Sequence, residues 1–332
     1  MSAGPRIAIL IPCFNEAATI EGVISSFRMH LPKAQIIVCD NNSDDGTAEI
    51  ARRAGADTMR EQRQGKGNVI RRMFAEVDAD FYVMVDGDGT YDASAAPELI
   101  RLLAEGRYDL INAARKPIES SAFRSGHVLG NRLLTGLVGL VFGTMTEDML
   151  SGYKAFSRRF VKTFPTSSSG FEIETEIMIH ALDLRVPFCE IEAPYGARPE
   201  RSASKLRTIR DGFRVLRLIG FLIRQERPLA FFSIVSVVLA AASLYLGLPV
   251  VNEFFATGLV PRLPTAVLAA SLSVCAALAF VCGIVLDAIV QSRREIKRLH
   301  YLLHSAPPIA LLSRTGSGPA DGLSGPRGRD AD

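Results

Sequence analysis

This sequence has few cysteines and a small net charge. Each of these features argues against particular classes of protein. Five cysteines are scattered over 332 residues without metal-ligand spacing, and we interpret them as reduced, packed thiols. The 38 basic and 35 acidic residues leave a net charge of only +3, which argues against a nucleic-acid-binding protein. The first apolar run stops at Pro12 after about six residues, too few for a signal peptide. We therefore expect the N-terminal domain to remain in the cytoplasm.

Two long uncharged segments in the last third of the chain are atypical of a soluble enzyme. The hydrophobic fraction of 48% and the mean hydropathy of +0.19 predict a folded domain joined to a membrane part. Leu229–Val251 and Leu263–Leu286 each supply the ~20 apolar residues needed to cross a bilayer; the alternative is a pair of buried core helices. Small residues in the second segment favour close helix packing, within a hairpin or between subunits of a homo-oligomer.

Basic residues flank these segments and predict their orientation. The connector Asn252–Arg262 carries one acid and one base, whereas 198–227 and 293–298 are rich in arginine and lysine. Positive flanks stay inside, so both flanks should be cytoplasmic, as at a bacterial inner membrane. The domain prediction is a cytoplasmic domain over 1–200, a basic juxtamembrane helix over 201–227, a two-span hairpin over 228–290 and a cytoplasmic tail over 291–332, disordered from about 312.

A basic stripe precedes the first apolar segment. The spacing of its arginines places them on one face of a helix, with apolar residues on another face. Such a helix is typical of one that lies among lipid headgroups; the alternative is an ordinary solvated helix. The residues predicted to dock on the membrane are Arg207, Arg210, Arg214 and Arg217.

The first 200 residues alternate short β-branched runs with helical patterns. Strands are predicted at 6–11, 35–39, 81–85 and 109–113, and helices at 16–30, 47–54, 67–77 and 96–105. This alternation predicts an α/β fold, with a mostly parallel sheet and helices on both faces. In open sheets of this kind, ligands bind beyond the carboxyl ends of the strands.

Acidic residues follow these predicted strands at that edge. Asp86 and Asp88 stand at i and i+2 after an apolar strand, so in an extended segment their carboxylates leave on one side. Two hard oxygen ligands suit Mg²⁺ or Mn²⁺; the alternative is an ordinary surface turn. Asp40 either forms a capping turn or accepts hydrogen bonds from a nucleobase or ribose, whereas Asp44 and Asp45 are better explained as capping residues.

Several other polar residues have structural explanations as well as functional ones. Glu172, Glu174 and Glu176 fit the start of a helix, with contact to a donor-sugar hydroxyl as the alternative. His127 and His180 lie in amphipathic helical patterns and are interpreted as packed or solvated. Tyr91 and Tyr195 either line a site or fill the core.

Five short motifs occur in order along the chain. They are PCFNE at 12–16, DGT at 45–47, GKG at 65–67, DGDGTYD at 86–92 and SGYKAFSRR at 151–159. The set resembles family 2 glycosyltransferases of the GT-A fold, over about residues 6–225. More narrowly, it is similar to the polyprenyl-phosphate glycosyltransferases, which include dolichol-phosphate mannose and glucose synthases and bacterial undecaprenyl-phosphate enzymes.

The resemblance implies roles for individual residues. It places Pro12, Phe14, Glu16, Asp40, Lys66, Asp86 and Gly87 at the donor nucleotide. It places Asp86, Asp88 and Thr90 at the metal. Catalytic roles fall to Asp88, to Arg115 near the phosphates and to Asp148, which acts as a base, positions the acceptor or simply caps a helix. The acceptor-phosphate positions are Arg124, Arg132, Arg198, Ser204 and Lys205.

The implied reaction transfers one hexose from UDP- or GDP-hexose to a polyprenyl phosphate at the membrane, with inversion and with Mg²⁺ or Mn²⁺. A lipid phosphate monoester is already an anion at pH 7 and needs no base. Processive polysaccharide synthases resemble one another in a Q-x-x-R-W motif, and this chain contains no tryptophan. The alternatives are a family 2 transferase with another lipid or glycan acceptor, a sugar-nucleotide pyrophosphorylase and a non-catalytic membrane adaptor.

Overall fold

The computed structural model describes residues 4–117, 146, 148–166, 170, 172–196 and 227–306. The chain falls into two compact units. The first contains the residues before Ile209 together with those from Lys297 onward, and the second contains Ile209–Ile296.

A seven-stranded sheet forms the centre of the first unit. Its strands are β1 (Ile7–Cys13), β2 (Gln35–Asp40), β3 (Asp57–Arg60), β4 (Phe81–Met84), β5 (Leu110–Pro117), β6 (Lys154–Ser157) and β7 (Phe188–Tyr195). The spatial order is β3-β2-β1-β4-β6-β5-β7. β6 runs antiparallel to both neighbours, and the other pairs are parallel. The mostly parallel sheet predicted from the sequence is therefore confirmed.

Helices cover both faces of this sheet. They are α1 (Ile20–His30), α2 (Thr47–Arg53), α3 (Lys66–Glu76), α4 (Ala96–Ala104), α5 (Arg158–Thr163) and α6 (Ile173–Leu184). One face packs its alternate residues, such as Ile9 and Ile11, against α1 and α4. On the other face the Phe74 ring of α3 contacts Phe156 of β6 at a centroid distance of 5.5 Å.

The first helix begins later than its sequence pattern indicates. The pattern predicts a start at Glu16, whereas α1 begins at Ile20. The intervening residues form a turn in which the Glu16 carbonyl accepts hydrogen bonds from the amides of Thr19 and Ile20, both at 3.0 Å. The Thr19 hydroxyl also donates to the Gly87 carbonyl at 2.7 Å, which fastens this turn to the loop after β4.

The second unit contains two long apolar helices. α7 (Pro228–Thr257) and α8 (Leu263–Leu303) have mean hydropathies of 2.3 and 2.4 in their most apolar windows, and both are long enough to cross a membrane. Within this unit the Ser236 hydroxyl donates to the Ala276 carbonyl at 2.8 Å, and Ser243 donates to Ala269 at 2.7 Å. The small residues of α8 thus pack within the hairpin.

The last turns of α8 belong to the first unit, and α8 extends well past the predicted span end at Leu286. The Tyr301 hydroxyl donates to Asp109 at 2.5 Å, and the Arg159 guanidinium stacks over the Tyr301 ring at 4.7 Å. Lys297 forms an ion pair with Asp183 at 3.2 Å. These contacts hold the end of α8 within the first unit.

Candidate active site

The loops after β1 and β2 are joined by hydrogen bonds at the carboxyl edge of the sheet. The Asn15 amide donates to the Ser43 hydroxyl at 2.9 Å, and the Glu16 amide donates to the Thr47 hydroxyl at 2.9 Å. Asn15 has a φ of 53° and Asn42 a φ of 64°, the left-handed region that asparagine tolerates better than most residues. Of the predicted donor residues, Pro12 and Asp40 lie at the ends of β1 and β2, and Phe14 and Glu16 lie in the loop after β1.

Asp40 was predicted to form a local capping turn or to contact a nucleobase or ribose, and the structure shows a local turn. Its carboxylate accepts the Ser43 amide at 3.2 Å, which makes a local turn, and its side chain is 4% exposed. The N-cap residue of α2 is Gly46, which makes no side-chain cap; Asp45, one residue earlier, accepts the Thr47 amide at 3.0 Å. Asp45 is therefore bonded to the first residue of the helix without being its N-cap, and Asp40 is buried at the end of β2.

Asp86 and Asp88 have different partners after β4. Asp88 is buried and accepts hydrogen bonds from the Thr90 amide at 3.1 Å and the Thr90 hydroxyl at 2.6 Å. Asp86 is more exposed and contacts the ammonium of Lys66. Asp88 and Thr90 therefore form one oxygen-rich cluster, and Asp86 belongs to a neighbouring ion-pair network.

Lys66 bridges two carboxylates in this network. Its ammonium contacts both Asp86 and Glu174, and its side chain is only 10% exposed. Burial works against the charge, but Asp86 and Glu174 outweigh burial and raise the pKa of Lys66 above its ordinary value. Burial raises the pKa of Glu174, Asp86 adds to that rise, and Lys66 opposes it. A positive charge is thus fixed beside the first aspartate of the motif.

The crevice is electronegative and tightly packed beneath these groups. Burial, and then the negative charges of Glu16, Asp40 and Asp86, raise the pKa of the Cys13 thiol. All three acids therefore act on this one side chain. A Cβ added at Gly87 would meet the Glu16 carboxylate at 2.3 Å. At this position only glycine lets the β4 loop approach Glu16 so closely.

Arg115 and Asp148 form a bidentate ion pair. The Arg115 Nε donates to Asp148 at 2.6 Å, and an NH2 nitrogen donates to the other carboxylate oxygen at 2.7 Å. Burial would raise the pKa of Asp148, but Arg115 outweighs it and lowers that pKa. Both oxygens are engaged and the proton affinity is low, so this carboxylate is suited to hold Arg115 rather than to accept a proton.

Tyr91 and Tyr195 lie beside Arg115, whereas His180 packs among phenylalanines elsewhere in the first unit. The hydroxyl of Tyr91 accepts the Gly152 amide at 2.8 Å, and its ring contacts Tyr195 at a centroid distance of 5.1 Å. Arg115 lies 5.6 Å over the Tyr195 ring, so these tyrosines line the site. His180 is instead packed between Phe160 and Phe164, and burial lowers its pKa to about 3, which confirms that it is a packed residue.

Two sets of predicted residues lie outside the described part of the chain. One is the acceptor-phosphate set, Arg124, Arg132, Arg198, Ser204 and Lys205. The other is the membrane-docking set, Arg207, Arg210, Arg214 and Arg217. His127, the juxtamembrane helix over 201–227 and the tail beyond 306 lie outside it as well.

The oxygen donors after β4 fit a hard divalent cation that takes other ligands from its substrate. Asp88 and Thr90 are joined by a hydrogen bond, and Asp86 is two residues away. Among the residues that the structure describes, no group of three or more His, Cys, Asp or Glu side chains could hold an ion, so the protein would supply few ligands here. A small set of oxygen donors such as Asp86, Asp88 and Thr90 fits Mg²⁺ or Mn²⁺, which commonly keeps waters and binds substrate phosphates.

Sequence patterns assigned no role to two charged residues of the site and predicted a different contact for a third. Glu174 is predicted at the start of a helix, with contact to a donor-sugar hydroxyl as the alternative; α6 does begin at Ile173, and the side chain contacts Lys66. Lys154 is buried in β6, and Glu190 of β7 accepts the Asp148 amide at 3.2 Å. Their strands were not predicted, so only the folded chain brings these residues to the site.

Similar proteins of known class are glycosyltransferases. Residues 8–164 match the family described as Glycosyl transferase family 2. Glycosyltransferase AglJ of Haloferax volcanii is 32% identical over 255 residues, which are 76% of this chain and 84% of that protein. An uncharacterised protein of Shigella flexneri is 55% identical over 154 residues, 46% of this chain and 94% of that protein.

Solved structures share the fold of the first unit. Glucosyl-3-phosphoglycerate synthase of Mycobacterium tuberculosis, bound to Mn²⁺, UDP and glucosyl-3-phosphoglycerate, is 26% identical with a TM-score of 0.52, covering 67% of this chain and 80% of that one. Mannosyl-3-phosphoglycerate synthase of Rubrobacter xylanophilus has a TM-score of 0.56 at 22% identity, covering 67% of this chain and 75% of that one. Because the family match includes the loops after β1, β2 and β4, and AglJ is matched over most of its length, this chain belongs to glycosyltransferase family 2 and has the GT-A fold.

Proposed function

We propose that this glycosyltransferase transfers a single hexose from UDP- or GDP-hexose to a polyprenyl phosphate at the cytoplasmic face of a membrane. The observation that carries the proposal is the presence, on one chain, of the acidic crevice and of two helices long and apolar enough to cross a bilayer. A soluble acceptor would not require those helices.

The crevice is suited to a nucleotide diphosphate. Asp40, buried at the end of β2, is the residue we assign to the ribose or base, and Lys66 places an ammonium beside Asp86. The related glucosyl-3-phosphoglycerate synthase has been solved with UDP-glucose and Mn²⁺, which supports a nucleotide-sugar donor and a divalent ion here as well.

Asp88 and Thr90, with Asp86, would hold the divalent ion. When bound, such an ion stabilises the negative charge on the departing diphosphate as a Lewis acid. Lys66 is poised to add a second positive charge, because its ammonium already lies in contact with Asp86. Glu174 keeps that ammonium in place from the opposite side.

Arg115 is the residue we assign to the acceptor phosphate. Its fork to Asp148 fixes the plane of the guanidinium, and the planar guanidinium is the group that binds phosphate oxygens in pairs. A phosphate monoester is already charged, so Asp148 serves by orienting Arg115. Direct attack on the anomeric carbon would invert its configuration.

Labelled sugars offered to membranes that contain the protein test this proposal. A panel of radiolabelled UDP- and GDP-hexoses is incubated with and without added polyprenyl phosphate, and the lipid fraction is extracted. We expect one donor to label a lipid, in an amount that rises with the added carrier. Transfer of sugar without any labelled lipid would refute the lipid acceptor.

A soluble phosphorylated acceptor is the second candidate. It is favoured by the structure of glucosyl-3-phosphoglycerate synthase in complex with phosphoglyceric acid, at 25% identity and a TM-score of 0.53. The same assay therefore includes an arm with 3-phosphoglycerate in place of the lipid. A labelled water-soluble product in that arm would favour this candidate over the first.

A further inference from the structure

Lys154 is a lysine with no exposed surface in the interior of the sheet. It lies opposite Asn112 in the antiparallel β5–β6 pair, and Asn112 lies opposite Glu190 in the parallel β5–β7 pair. Residues paired in this way project from the same face of a sheet. The three side chains therefore form one polar row across three strands, in a position where apolar residues are the norm.

The ammonium of Lys154 fixes the orientation of the Asn112 amide. Lys154 donates to the Asn112 side-chain oxygen, so the amide nitrogen must face the other way. That nitrogen donates to the Asp148 carbonyl at 2.8 Å and to the Glu190 carboxylate at 2.6 Å. Without the ammonium, the buried amide oxygen would have no cation to accept from, and a flipped amide would lose both of these bonds.

The polar row holds the backbone of Asp148 at two points. The Asp148 carbonyl accepts from Asn112, and the Asp148 amide donates to Glu190 at 3.2 Å. The carboxylate fixed in this way receives the Arg115 fork. A chain of three contacts, Lys154 to Asn112, Asn112 to Asp148 and Asp148 to Arg115, thus ends at the guanidinium.

We propose that Lys154 is a positioning residue for Arg115, acting through Asn112 and Asp148, and that its charged form holds the Asn112 amide more firmly than a neutral amine does. The inference rests on the proposed function, in which Arg115 binds the acceptor phosphate. Lys154 itself touches neither substrate, so it orients the guanidinium and takes no part in the chemical step.

The surroundings of Lys154 make its charge sensitive to pH. Burial is the largest effect and lowers the pKa of Lys154 to about 8. Three carboxylates favour its charge: Asp148 before β6, Glu174 of α6 and Glu190 of β7. Arg115 of β5 disfavours it. Transfer should therefore decline as pH rises through about 8.

The stability of the fold should change in the opposite direction over the same range. An unfolded lysine titrates near 10.4, so between pH 8 and 10 the unfolded chain binds more protons at this position than the folded chain. The contribution of Lys154 to the free energy of unfolding therefore rises with pH while the activity falls. A residue with a merely structural role would not separate the two trends.

Kinetics of Lys154→Met and Arg115→Gln, alone and combined, test the proposal. We expect K154M to lower kcat about tenfold to a hundredfold, as a misplaced catalytic contact does, and to remove the decline near pH 8. In the R115Q background, K154M should have less than about a twofold further effect. The matched control is Lys162→Met, because Lys162 donates to the carbonyls of Phe74 and Val77 and is remote from Arg115; its pH profile should match wild type.

Two results would overturn the proposal: equal losses from K154M in both backgrounds, or a decline near pH 8 that survives in K154M. If K154M does not fold, the pH profiles of wild type and R115Q still test the proposal, because only wild type should lose activity as pH rises through about 8. The assay uses whichever acceptor is labelled, so a failure to modify polyprenyl phosphate refutes the proposed function separately.

Discussion

Gly152 leaves the space that the Asp86 side chain occupies. A Cβ at residue 152 would lie 2.2 Å from the Asp86 carboxylate, so Gly152→Ala should shift that side chain, which pairs with Lys66. We expect kcat/KM for the nucleotide sugar to fall about tenfold or more, because misplaced charged groups cost catalysis steeply.

The control for Gly152→Ala is another glycine with space around it. A Cβ at Gly22 of α1 meets nothing within 4 Å, and alanine there favours the helix. Gly22→Ala should keep wild-type kinetics and should be equally or more stable. Wild-type kinetics in the Gly152 variant as well would contradict the placement of Asp86 at the donor.

Asp88→Asn tests the assignment of the metal. The asparagine oxygen can still accept from Thr90, so the loop should keep its shape while the charge that attracts the ion is lost. We expect transfer to fall by at least about a hundredfold and the calorimetric signal for Mn²⁺ with UDP to disappear. Asp57→Asn, in β3 beside Gln35, is the control and should bind Mn²⁺ and UDP as wild type does. Full activity of wild type in metal-free buffer would count against the assignment.

Sequence patterns located the acidic residues of the crevice but not their partners. Asp40, Asp86 and Asp88 follow runs of apolar residues, and that local pattern places them at the carboxyl edge of a sheet. Glu174 and Lys66 are in contact although they are 108 residues apart in the sequence. Lys154 of β6 donates to Asn112 of the neighbouring strand β5. No local periodicity encodes such pairs, because they depend on the order of strands in the sheet.

At the scale of elements, four strands with apolar runs were predictable, whereas the short strands β3 and β6 and the half-buried strand β7 were not. β1, β2, β4 and β5 overlap the predicted strands within a few residues, because continuous burial requires apolar runs. β3 has the sequence DTMR and β6 has KAFS, patterns too short and polar to distinguish from loops. β6 also enters the sheet antiparallel between β4 and β5, which an alternating pattern of strands and helices does not indicate.

The end of α8 is an element whose contribution to stability can be measured. Asp109 is fully buried and accepts hydrogen bonds from Ser157, Arg159 and Tyr301. Tyr301→Phe removes one bond to a buried carboxylate and keeps the ring under Arg159. We expect a loss of roughly 1.5–3 kcal/mol in the free energy of unfolding, since hydrogen bonds to charged groups contribute about that much.

Thermal unfolding in detergent, followed by near-ultraviolet circular dichroism, checks this expectation. The buried rings of Tyr82 and Tyr153 report on the first unit. Tyr245→Phe, at a side chain that is 80% exposed on α7, is the matched control and should unfold with wild type. An unchanged midpoint for Tyr301→Phe would show that the last turn of α8 contributes nothing to the first unit.

At the scale of the whole molecule, the charges are separated along the chain. The crevice is lined with carboxylates, the connector between the apolar helices is nearly neutral, and the sequences on both sides of those helices are basic. Because basic flanks stay on the cytoplasmic side of spanning helices, we propose that both flanks are cytoplasmic. On this proposal residue 257, in the connector, lies on the opposite side of the membrane.

Cysteine labelling in vesicles of known orientation tests this topology. Thr257→Cys should react with an impermeant maleimide in right-side-out vesicles. Met29→Cys, at a position 78% exposed on α1, should react only in inside-out vesicles. The wild-type protein gives the background labelling of its own cysteines. Reaction of both variants in the same vesicles would place the crevice and the connector on one side. The apolar helices would then not span the bilayer as a hairpin, and access to a lipid phosphate would need another explanation.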